Sequence, residues 1–352
     1  MTNRFYTSED PSAPVLTGQA GALTTLLDAC LVTGYGSGGT AKAAAGWTIA
    51  FTDVNKRVYT MTGGTGFSMY MDDSGDVVAN EGYVIGYQQA TGLNAGVAPW
   101  PTPAQMSTGL THGVPWRKSE TTDATVRRWK LAADANTAML LVQTGLVIGG
   151  VYGWMGFIFG DIGGASANDG FACLNMGNRT TNLFQPDGRP APVINFGNTG
   201  VGVNDVEYSG QWLAAAAVGV PTSVQCGKLF DLTLMGSSSS LQNGTTVDGQ
   251  LTIGMGGNYV NSLVFPSPNN ADGAIYMSPV RINSGNGIRG HLKGVWASLH
   301  HLPLNDGDTF TVATGNLAGK SFIAVATFMT HGQAGNRSAI GQVFIETSST
   351  WS

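Results

Sequence analysis

The first run with a clear period covers residues 23–31. Leu23, Leu26, Leu27, Cys30 and Leu31 stand at i, i+3, i+4, i+7 and i+8, so they share one helical face. Gly34 follows where a left-handed C-terminal cap belongs. From Gly46 the period changes to two. Residues 47–52, 57–62 and 66–73 read as strands, and in the third Phe67, Met69 and Met71 fall on one face. Residues 53–56 and 72–76 are the intervening turns, and residues 81–90 make a fourth strand. Residues 91–115, rich in Gly and Pro and containing Trp100, read as a long ordered loop running up to Trp116 and built for contact rather than chemistry. Residues 125–132 and 138–144 form a hairpin across Asp134, Ala135 and Asn136, and residues 151–159 add a strand.

After Gly164 the texture loosens. Strand patterns recur at residues 218–224, 229–234, 250–255, 321–328 and 342–347, with a turn at Asn305, Asp306, Gly307 and Asp308. Pro11 and Pro14 make residues 1–19 an extended arm, able to lie on a neighbouring subunit or cover its own domain. The pattern predicts a mainly β protein: antiparallel β-sandwich or barrel-like domains with one short N-terminal amphipathic helix. The expected division is the arm at 1–19, a β-rich domain with the helix at 20–164, and a second β-rich domain at 165–352. No fixed-period repeat supports a solenoid or propeller.

Composition sharpens this picture. The chain has 352 residues, of which 51 are Gly and 11% are charged. The usual values are ~7% and ~25%. High Gly fits many tight turns, and scarce charge fits a surface that meets other subunits. A net charge of −5 excludes the basic footprint of a nucleic-acid binder. The local cluster of Arg117, Lys118, Arg127, Arg128 and Lys130 reads as solvated strand positions and salt bridges. Cys30, Cys173 and Cys226 are widely spaced, as reduced buried thiols are. Residues 137–160 carry no charge and are long enough to span a bilayer. Their six glycines from Gly145 to Gly160 favour a buried hairpin instead.

Candidate chemistry is sparse. Residues 34–39 match GxGxxG by letter but follow a helix, whereas a dinucleotide loop follows a strand. The acidic turn at 72–76 lacks the full spacing of a calcium loop and reads as a hairpin turn. His291, His300 and His301 with Asp306 and Asp308 suggest zinc by proximity, but no HxH or HExxH spacing is present. No GxSxG occurs. Asp205 and Glu207 fall on one strand face at most, which sets no carboxylate separation. The expectation is a chain that is not an enzyme and has no catalytic residue, metal or cofactor. The eight Trp residues read as core packing or subunit contacts. Phe5, Tyr6, Trp100, Trp116 and Trp351 are the candidate subunit contacts, with Trp351 favoured because an aromatic near a chain end must be docked to be useful.

Several words of the sequence carry a resemblance. Near the front are residues 4–14, RFYTSEDPSAP, and LTGQAGALTTLLDACLVTGYGS. In the middle are WRKS, WKLAADANT and FGDI. Near the end are LHHLPLNDGDTF, LAGKSF and VFIETSSTW. Together they resemble a family of tailed-bacteriophage virion structural proteins, with residues 165–283 the least similar. The resemblance implies a virion location after synthesis in the bacterial host cytoplasm. The family does not fix the role, and the expected one is a structural part of the tail or baseplate, with other virion proteins as partners. Scarce charge, the extended arm and Trp351 near the end point to further copies of itself as partners too, as a trimer or ring. The alternatives are a capsid decoration (cement) protein, or a tail-tip protein binding a host receptor or surface glycan. Neither nucleic acid nor membrane insertion is expected.

Overall fold

The structure is a computed structural model that describes residues 2–100, 112–148, 151–164, 170–176, 210–216, 277–284, 287–298, 304–325 and 342–352. Seventeen strands and one short α-helix account for most of them. They fall into two compact units.

The first unit begins with β1 (Arg4–Thr7), part of the expected arm. It pairs antiparallel with β8 (Arg128–Ala133), placing Phe5 opposite Ala132 and Tyr6 opposite Leu131. The arm is therefore a strand of the chain's own sheet. That sheet continues through β9 (Thr137–Ile148), β10 (Val151–Asp161), β11 (Gly170–Met176) and β12 (Gly210–Ala216). Strands β11 and β12 lie beyond the expected boundary near residue 164 and still pair onto this sheet.

Residues 137–160 form the antiparallel β9–β10 hairpin. Gly156 shows why glycine is needed there: its φ is 141°, and a Cβ would lie 1.9 Å from the Leu140 carbonyl oxygen. Among the described residues, no helix is long and apolar enough to cross a membrane.

The second sheet of this unit is formed by β2 (Thr48–Asp53), β3 (Lys56–Thr60), β4 (Ser68–Asp72), β5 (Glu81–Gly92) and β6 (Ala95–Trp100), with β7 (Val114–Arg117) also paired to β5. Of the long loop expected at residues 91–115, residues 91–92, 95–100 and 114–115 lie instead on strands β5, β6 and β7, and residues 101–111 lie outside the described residues. Asn94, at φ 49°, makes a tight turn that returns the chain along β5. The prolines that suggested a loop, Pro99 and Pro115, sit on strands that pair with opposite ends of β5.

Helix α1 (Ala22–Leu27) continues into a π-helical turn at Asp28–Thr33. Gly34, at φ 80°, closes it with an N–H bond to the Ala29 carbonyl at 2.7 Å. All five residues of the expected apolar face have no exposed surface. They join Phe67, just before β4, Met69 and Met71 from β4, and Leu131, Leu140, Met155 and Phe157 from the first sheet in one core. Tyr70 points the other way, into a smaller cluster with Val58, Ile85 and Tyr87.

The second unit holds β13 (Met277–Ser284), β14 (Gly287–Ser298), β15 (Thr309–Thr311), β16 (Ser321–Val325) and β17 (Gln342–Glu346). Their order is β13-β14-β17-β16-β15, all antiparallel. Phe322 and Phe344 are fully buried there, with Phe310 5.5 Å and 5.4 Å from their rings. The strand patterns expected at residues 218–255 lie outside the described residues.

The antiparallel sheets and the single short helix agree with the sequence reading, but the barrel-like closure is wrong. None of these sheets joins its first strand to its last: they end at β1 and β12, β2 and β6, and β13 and β15. Alternation sets which face is buried. Closure depends on strand number, tilt and stagger, which alternation does not encode.

Candidate functional site

The densest polar chemistry lies where β4 ends. Its alternation continues one residue past the strand. Phe67, Met69 and Met71 face the core, and Asp73 follows them inward. On the other side of β5 the same happens after β7: Trp116 is fully buried and Lys118 follows it in. The two charged ends meet. Lys118 Nζ donates to Asp73 Oδ1, and both side chains have zero exposure. Asp73 Oδ2 accepts from the backbone N–H of Leu23 at 2.7 Å and Thr24 at 3.3 Å, satisfying free donors of the first turn of α1. Lys118 Nζ also donates to the Gln19 carbonyl at 2.7 Å. Burial pushes the Asp73 carboxyl up to about 6, with Lys118 pulling the other way. Burial likewise lowers the Lys118 amine, opposed by Asp73. Lys118, expected on a solvated strand, is among the most buried side chains described. Strand parity was the available signal, because it places both residues inward and a buried charge requires a partner.

Asp72 points the opposite way. It accepts from Ser74 N and Oγ at 3.0 Å and 2.6 Å and from Tyr70 Oη at 3.1 Å. His112 Nδ1 lies 3.0 Å from its Oδ2. Burial works to raise the Asp72 carboxyl, but the Ser74 bonds, His112 and Lys56 together hold it below the ordinary value. Ligand atoms of Asp72, Asp76 and His112 lie within 4.8 Å of one another, the spacing of a small cation site. A cation is already there: Lys56 Nζ stands 2.7 Å from Asp76 Oδ2 and 3.5 Å from Asp72 Oδ2. A divalent ion would have to displace that ammonium and would gain only three protein ligands, fewer than calcium takes. The cluster works as an ion-paired turn.

Two further carboxylates act as fasteners. Asp161 at the end of β10 accepts from Thr65 N at 3.1 Å, Thr65 Oγ1 at 2.6 Å and Asn136 Nδ2 at 3.3 Å, tying the β3–β4 loop to the other sheet. Glu346 in the second unit is fully buried and takes Lys320 Nζ at 3.0 Å, Trp296 Nε1 at 3.3 Å and Ser352 N at 3.0 Å.

The candidate contact residues are placed as follows. Tyr6 has no exposed surface, and its hydroxyl donates to the Ala43 carbonyl at 2.8 Å. Trp116 is also fully enclosed, edge-on to Phe157 at 5.7 Å, and its Nε1 has no hydrogen-bond partner. Both are occupied inside the chain. Phe5 is half-buried on β1, and Trp100 ends β6 opposite Gly86. Trp351 is half-buried and donates to the Glu346 carbonyl at 3.1 Å.

The Trp351 ring lies against Gly294, where φ is 68° and a Cβ would stand 2.5 Å from Nε1. Gly294→Ala is therefore expected to cost the second unit about 2 kcal/mol in a denaturation titration. Part of that cost should disappear in a Trp351→Ala background. Equal costs in both backgrounds would show that the ring does not oppose the Cβ.

Of the zinc candidates, His291 pairs across from Arg281 on β14, and Asp308 Oδ2 accepts from Asn305 N in the turn at 2.7 Å. His300, His301, Asp205, Glu207 and Cys226 lie outside the described residues. Cys30 is buried, and burial pushes its thiol well above the ordinary value, away from the nucleophilic thiolate. The basic cluster is spent on local contacts: Arg128 pairs with Glu9, Arg127 Nε donates to Ser119 Oγ at 2.9 Å, and Lys130 Nζ lies 4.5 Å from the centre of the Trp154 ring. Comparison with models of known families, with curated proteins and with solved structures returned no match.

Proposed function

We propose that this chain is a structural component of a tailed-bacteriophage virion, associated with the tail or baseplate and working through contacts between subunits. The observation that carries the reading is the resemblance of its front, middle and end to virion structural proteins. The way charge is used is compatible with it. Asp73, Asp161 and Glu346 each bind neighbouring elements together, and Lys56 pairs with both Asp72 and Asp76. These are the marks of a part that must hold its shape. Its partners are other virion proteins and further copies of itself.

The test is the particle. Imaging of purified virions at subunit resolution is expected to find this chain in many copies at fixed positions on the tail or baseplate. The isolated protein is expected to release no sugar from host polysaccharide. Absence of the chain from intact particles would end the structural reading, and reproducible sugar release would replace it with an enzymatic one.

A further inference from the structure

The meeting of Lys118 and Asp73 places an amine against a carboxyl group with water excluded. Both side chains have zero exposure, and Nζ donates to Oδ1. The other carboxyl oxygen is held from behind, because Oδ2 accepts from Leu23 N at 2.7 Å and Thr24 N at 3.3 Å. Two backbone donors on one carboxyl oxygen act as an oxyanion hole does: they stabilise the charge that grows on that oxygen when its carbon becomes tetrahedral. The amine is also aimed, since one of its N–H groups is held by the Gln19 carbonyl at 2.7 Å. Nucleophile, electrophile and charge stabiliser are therefore assembled in the ground state, which removes most of the entropic cost of bringing them together.

We propose that Lys118 and Asp73 condense to an intramolecular amide bond. The lone pair of the neutral amine attacks Asp73 Cγ, and the N–Cγ bond forms. Negative charge collects on Oδ2, facing Leu23 and Thr24, and returns to re-form the carbonyl. The Cγ–Oδ1 bond breaks and Oδ1 leaves as water, with the carboxyl's own proton and one from nitrogen. The hydrogen that remains on the amide nitrogen keeps its hydrogen bond to the Gln19 carbonyl. Nothing is oxidised or reduced, and no co-reactant is needed. The reacting forms are the neutral acid and neutral amine, and burial favours both by raising Asp73 and lowering Lys118. The residues follow β4 and β7, the strands on either side of β5, so the bond would clamp three strands at one end of the sheet.

The experiment is the intact mass of the denatured full-length protein, followed by peptide mapping. The expected mass falls short of the sequence by one water, and digestion yields a branched peptide joining the segments around Asp73 and Lys118. Lys118→Arg and Asp73→Ala should each restore the full mass. Because the decisive measurement is on the unmodified sequence, it does not depend on either variant folding. A wild-type mass equal to that of the sequence would overturn the proposal. So would a water deficit that persists in Lys118→Arg, which is what ring closure at Asp306-Gly307 would give.

Discussion

Lys118→Met is expected to cost the first unit about 3–5 kcal/mol at neutral pH, because it strands a carboxyl group in the core without its cation. Where the proposed amide has formed, the variant loses a cross-link in place of the cation, and a cross-link between residues 45 apart in sequence restricts the unfolded chain by roughly 4 kcal/mol in the chain-entropy picture. The pH dependence follows from Asp73. Its carboxyl is pushed up to about 6 even with Lys118 beside it, and higher without it. The unfolded chain titrates at about 3.9. Between those values the folded variant holds a proton that the unfolded chain has lost, so stability falls as pH rises through the window and levels off above it. Urea titrations should therefore show a smaller deficit near pH 4.5 than near pH 8. Equal deficits at the two pH values would mean that Asp73 is not the group left stranded.

Removing residues 1–14 is expected to unfold or aggregate the first unit rather than leave a folded subunit with weakened contacts. The deletion strips β1 from β8 and opens the backbone edge of that strand. It takes out Tyr6, whose burial alone stabilises by roughly 2–3 kcal/mol, and uncovers the core it shares with Leu131 and Trp129. The Trp129 indole also loses the Pro14 carbonyl that accepts its N–H at 3.0 Å. Size-exclusion chromatography and thermal melting of the truncated chain are the measurements. A soluble species melting within a few degrees of the full chain would show that the arm is not part of the fold. Substitution of the half-buried Phe5 is the gentler probe of subunit contact, because its neighbour Tyr6 has no surface to offer.

Local periodicity made the helix face and the β4 face readable, since Leu23 to Leu31 and Phe67 to Met71 each repeat at the spacing of one element. The β9–β10 hairpin was readable because its glycines break an otherwise apolar run. Strands β6 and β7 were hidden by Pro99 and Pro115, which read as breakers in sequence but are tolerated at strand positions where no N–H is required. The Asp73–Lys118 pair was half visible. Parity turned each residue inward, but nothing in the sequence says that two strand ends separated by β5 will meet. His112 joined Asp72 across a distance of 40 residues, with no spacing rule to announce it. Sheet closure was misread for the same reason: it is a property of strand order, and order is a long-range fact.

The pairing of β1 with β8 has a consequence in time. Phe5 is made early, and its partner Ala132 is added more than a hundred residues later. At roughly 5–20 residues per second, the interval is on the order of ten seconds. Throughout it Tyr6 and Leu16 wait on a nascent chain beside α1, without the strand that will cover them. The opening segment of the polypeptide is thus seated only after the middle has been synthesised, and slow translation between α1 and β8 would prolong the exposure of apolar surface to chaperones.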